Sequence, residues 1–102
     1  MNAANYALET TKVRRIAADP QCDFVWTRHA LERMSEWNIT ATAIRYILTR
    51  GQVTLEETAK RDILWRVEGA DVDGRRITGV VAVYDQAIKI KVITVFARDE
   101  GN

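Results

Sequence analysis

The chain has 102 residues, enough for one domain with a core of its own. Fifteen basic against 14 acidic residues leave a net charge of +1, so any surface for nucleic acid must be a local one. The lone cysteine, Cys22, excludes an intrachain disulfide framework and a thiolate zinc cluster, and it fits a reducing compartment. No apolar run reaches the ~20 residues of a membrane span. "MNAANYALETTKVRR" lacks an apolar signal core, so a cytoplasmic protein is expected.

Residues 3–18, "AANYALETTKVRRIAA", are rich in helix formers and stop at Asp19-Pro20. Their apolar face is thin: Tyr6, Val13, Ile16 and Ala17, with threonines between. This predicts a helical extension, residues 1–20, standing outside a single α+β domain of residues 21–102. "DFVW" reads as a short strand or an extended lead-in. Thr27 is an N-cap, with Ala30, Leu31, Met34 and Trp37 at helical spacing behind it. Thr40 caps a second helix whose stripe is Ile44, Ile47 and Leu48, and Gly51 reads as its C′ glycine. Then the apolar period changes from helical to alternating. "QVTLEET", "ILWRVEG", "RRITGVVAVY" and "AIKIKVITVF" read as four strands. The last two meet at Asp85-Gln86, read as a two-residue hairpin. In the final strand Ile88, Ile90, Val92, Thr94 and Phe96 share one face, with Lys89 and Lys91 on the other. The expected fold is α+β: N-terminal helices packed on one face of a four-stranded, mainly antiparallel C-terminal sheet.

The only histidine, His29, falls at the second position of the Thr27-capped helix, and Arg33 lies four residues on along the same face. A neutral imidazole beside a guanidinium can take a proton from a ribose 2′-OH while the arginine steadies the phosphorane. The competing explanation is a fold contact, in which His29 bonds the Thr94 hydroxyl that interrupts an apolar strand face. Lys89 and Lys91 share a strand face about 7 Å apart. With Arg66 and Arg75 or Arg76 they would form a basic plate for phosphates; the plainer role is edge protection. Tyr84 is placed either to stack on a base or to cap the core. There is no glycine-rich phosphate loop, no metal-ligand cluster and no paired-carboxylate site, so neither cofactor nor metal is expected.

"TRHALERMSEWNIT", "AIRYILTRGQV" and a last strand ending "KVITVF" resemble the bacterial family called domain of unknown function 4258. The residues that carry the likeness are Thr27, His29, Ala30, Arg33, Met34, Ile39, Thr40, Gly51, Val53, Thr94, Val95 and Phe96. Trp37-Asn38 stands where the family usually has Arg-Gly. The family resembles RelE-like and barnase-like toxins. That implies a metal-independent ribonuclease of a toxin–antitoxin pair, with RNA as substrate, ribosome association in some forms, and a small antitoxin partner. The helix and strand motifs then carry His29, Arg33 and Thr94 as catalytic candidates. Arg66, Arg76, Tyr84, Lys89 and Lys91 are the RNA-binding set. The alternative is a non-catalytic binding or regulatory module, docking through Trp37 and the N-terminal helix or forming a homodimer.

Overall fold

Two threonines start the two central helices. In the computed structural model, which describes residues 5–98, the Thr27 side chain accepts from the Ala30 N–H and opens α2, Arg28–Trp37. The Thr40 side chain accepts from the Ala43 N–H and opens α3, Ala41–Arg50. Each hydroxyl satisfies one of the amides that a helix start leaves unpaired. Between them Asn38 turns the chain at φ 56°. Its short polar side chain tolerates the left-handed region that a glycine would otherwise supply.

Before these helices come α1, Ala7–Ala18, and β1, Asp23–Trp26. After them come β2, Gln52–Ala59; β3, Asp62–Ala70; β4, Arg76–Tyr84; and β5, Lys89–Arg98. The sheet order is β1-β5-β4-β3-β2. The expected four antiparallel strands are present, and a fifth joins them: β1 pairs parallel with β5, Asp23 against Lys89 through Trp26 against Val92. The "DFVW" segment, read as a short strand or an extended lead-in, is thus a strand, and four residues are too few for alternation to place it in the sheet. The sheet is therefore five-stranded and mixed.

The helices cover one face. Ile44, Ile47 and Leu48 of α3 are fully buried against Val67, Val81, Val92 and Val95 of the sheet. Helix α1 belongs to the same core, which corrects the expectation of an outlying extension. Val13 is 0% and Ile16 2% exposed. The Thr10 hydroxyl accepts from the Val53 N–H at 2.9 Å, and Arg14 Nε donates to the Gly51 carbonyl at 2.8 Å. The threonine that thinned the stripe thus caps the otherwise open edge of β2. Residues 1–4 and 99–102, and with them the first two residues of the expected helix, lie outside the described residues.

Gly51 does close α3, but for another reason than a left-handed turn. Its φ is −79°, an ordinary extended value. A Cβ there would sit 2.5 Å from the Glu68 carbonyl oxygen and 2.6 Å from that of Ile47. Glycine lets the helix end approach β3. The β4–β5 connection also differs from the two-residue hairpin. A 3₁₀ turn, Asp85–Ala87, leads to Ile88 at φ 49°, and Tyr84 pairs with Lys89.

Candidate functional site on the open sheet face

Strand alternation decides which side chains meet on the face away from the helices. Inward positions of β4 are Ile77, Gly79 and Val81, so Arg76, Thr78, Val80, Ala82 and Tyr84 point outward. Cross-strand register then puts Arg66 beside Val80, with Thr94 beyond it on β5, and Lys91 beside Ala82.

The register holds a bulge. Val80 pairs with Thr94 and Val81 with Val92, so Ile93 is the extra residue on β5. Beyond it the alternation changes phase. Ile90 and Val92 are buried before the bulge, Val95 and Ala97 after it. Thr94 and Phe96 are consequently on the outer face with Lys89 and Lys91, not on the opposite one. This corrects the uninterrupted alternation read from the sequence, and bulges often re-aim side chains in this way.

The bulge also redraws the junction with α2. The Thr27 Oγ1 donates to the Ile93 carbonyl at 2.8 Å while accepting from the Ala30 N–H, and the Thr27 N–H donates to the Val92 carbonyl at 3.2 Å. One threonine ties the helix start to the last strand. His29, expected to make that contact to Thr94, is exposed instead. Arg33 turns along its own helix to Glu36 at 2.9 Å, with its Nε buried and without a partner among the described residues.

The outer face therefore gathers Arg66, Arg76, Tyr84, Lys89, Lys91 and Thr94, while His29 and Arg33 remain on α2. It also brings in a residue that sequence reasoning passed over. Asp62, at the start of β3, accepts from Tyr84 Oη at 2.9 Å and faces Lys91 Nζ at 3.4 Å. Lys89 Nζ stands 5.3 Å from the centre of the Tyr84 ring, a cation–π contact. The signal for Asp62 was its parity: it is four residues before Arg66, hence on the same strand face.

The electrostatics of this group resist proton exchange near neutral pH. The Tyr84 hydrogen bond, then the Lys91 ammonium, hold the Asp62 carboxyl below the usual carboxylate range. Burial and then the Asp62 carboxylate push the Tyr84 phenol up. The phenolate charge that Tyr84 carries when ionised, and then the bond to Asp62, raise the Lys91 ammonium. The face offers fixed charge and hydrogen-bond donors. Arg66 adds a further feature: its Nε is buried with no partner among the described residues, and its neighbours across the strands are the apolar Leu55 and Val80. On the helix side of the molecule burial and the carboxylates of Asp19 and Asp23 push the Cys22 thiol up, which disfavours its thiolate.

No helix among the described residues is long and apolar enough to cross a membrane. Comparison with curated proteins and with solved structures gives no match in either set. A family model described as Domain of unknown function (DUF4258) matches residues 26–97. That segment runs from the end of β1 to the end of β5, and so takes in the Thr27–Ile93 junction and the whole outer face of β3, β4 and β5. The chain belongs to the domain of unknown function 4258 family.

Proposed function

We propose that this chain is a toxin-type ribonuclease that holds RNA on the open sheet face and cleaves it without metal, and that a small antitoxin neutralises it. One observation carries the reading. Six of the eight candidate residues share a face that no helix of the described residues covers, each at an outward strand position. Cations and a hydroxyl on a flat sheet suit a phosphodiester better than they suit a small molecule, which needs concavity.

The chemistry follows from what those groups are. The ribose 2′-oxygen attacks the adjacent phosphorus, a P–O2′ bond forms, and the P–O5′ bond breaks. The products are a 2′,3′-cyclic phosphate and a 5′-hydroxyl. Lys91 and Arg66 would steady the charge on the phosphorane, and Lys89 would hold the neighbouring phosphate. No group of the Asp62–Tyr84–Lys91 set is tuned toward proton exchange at neutral pH, so water takes the 2′-OH proton and water protonates the leaving 5′-oxygen. Catalysis then rests on orientation and charge, and His29 has no part in it.

The test is direct. The purified protein is incubated with RNA in EDTA and, separately, with ribosomes in magnesium, and the new ends are analysed. Cyclic or 3′-phosphate ends, lost on replacing Lys89 and Lys91 with alanine and kept in His29→Ala, support the reading. Intact RNA in both conditions, together with harmless overexpression, sinks it. A non-catalytic binding module is the second reading, and the untuned acid–base set favours it: fixed, solvated charges serve docking of an anionic partner as well as they serve cleavage.

A further inference from the structure

The outer face carries its own anion. Three strands converge on it: Asp62 from β3, Tyr84 from β4 and Lys91 from β5. One carboxylate oxygen takes the Tyr84 hydroxyl at 2.9 Å and the other the Lys91 ammonium at 3.4 Å. Two oxygens held by a hydroxyl and an ammonium is also the arrangement a phosphodiester would adopt between the same donors. The pair is a poor device for stability. Both side chains keep 34% of their surface in water, the lysine contact is long, and such exposed pairs contribute little to folding.

We infer that Asp62 is an internal stand-in for a phosphate, occupying Lys91 and Tyr84 until an RNA phosphodiester displaces it. The inference rests on the RNA reading above and adds a specificity-determining residue to it. An anion built into the site sets a threshold. A single phosphate must compete with a carboxylate tethered at an effective concentration on the order of millimolar, whereas a polyanion also gains Lys89 and Arg66 and outcompetes it. The site thus discriminates for polymer against free phosphate or mononucleotide. Asp62 begins β3 at an outward position with a third of its side chain in water, so the carboxylate can turn aside by side-chain rotation without moving an inner sheet position.

The test measures binding of a fluorescent ten-residue oligouridylate to the whole chain at low salt. Asp62→Asn keeps an acceptor for Tyr84 and removes the charge. It should tighten binding about threefold to fivefold, and steepen the salt dependence by about 0.7 in log–log slope as one more lysine takes a phosphate. Glu57→Gln removes a like charge from the outer face of β2, away from Lys91, and should change affinity less than about twofold. In a Lys91→Ala background the gain from Asp62→Asn should vanish. Thermal melts of each variant exclude misfolding, and Asp62→Ser repeats the test if the asparagine variant is unstable. Equal gains from Asp62→Asn and Glu57→Gln, or a gain that survives Lys91→Ala, would overturn the inference while leaving RNA binding intact. Absence of binding by both wild type and Asp62→Asn would overturn the RNA reading and the inference together.

Discussion

The two faces of the sheet divide the labour of this protein. On the inner face Val67, Val81, Ile90, Val92 and Val95 are fully buried against Ile44, Ile47 and Leu48. On the outer face Asp62 and Lys91 keep a third of their side-chain surface in water and bond each other at 3.4 Å. The same strands build both, because successive residues point to opposite sides. Hydrophobic transfer holds the inner face together, at about 1.5–3 kcal/mol for each large side chain. The outer face is held by contacts that water and salt can replace. Stability and surface chemistry are therefore separable residue by residue. Substitutions should sort by face rather than by strand.

The largest break in that pattern should come from the inner side. A chain starting at Gln21 lacks Val13 and Ile16, fully or almost fully buried in the shared core, and uncaps the Val53 N–H. It should lose its cooperative thermal transition. A sharp transition in the truncated chain would return α1 to the status of an appendage. Ile16→Ala alone should cost about 2–5 kcal/mol, read from denaturant melts. Gly51→Ala comes next, at about 1–3 kcal/mol, because its methyl group would press on two carbonyl oxygens. A neutral result there would mean that α3 and β3 can separate freely. Thr27→Val removes a helix cap and the donor to Ile93 at once, and about 1–2 kcal/mol is expected.

Outer-face changes should be the smallest in stability. Lys89→Ala, and likewise His29→Ala at the exposed start of α2, should each stay within about 0.5 kcal/mol of wild type. A small pH effect sharpens the contrast. Asp62 has a folded-state pKa held below its unfolded value, so its contribution is present above the unfolded pKa and fades as pH falls through the folded one. Wild type should therefore lose slightly more stability below about pH 4 than Asp62→Asn does. Identical acid limbs would mean that the carboxylate makes no net bond in solution.

Much of this architecture was legible in the chain. Thr27 and Thr40 announce their helices because a hydroxyl before an apolar stripe has a local job. The strong strands follow from alternation. What escaped is non-local. Ile93 carries no mark of a bulge; only pairing with β4 makes it the extra residue, and so Thr94 and Phe96 were assigned to the wrong face. The thin stripe of α1 hid a core helix because Thr10 is buried through a bond to Val53, forty-three residues away. His29 looked functional because it is the only histidine, yet the neighbour Thr27 makes the junction. Asp62 was passed over because its partners, Tyr84 and Lys91, lie on two other strands.

The central claim is that ligand meets the outer face of β3, β4 and β5 and not the start of α2. Amide chemical shifts of the labelled chain, followed while single-stranded RNA is added, test it most directly. Perturbations centred on Arg66, Tyr84, Lys91 and Thr94, with Arg28–Leu31 unmoved, are what the account predicts. Shifts centred on His29 and Arg33 with the outer strands unchanged, or no shifts anywhere, would contradict it.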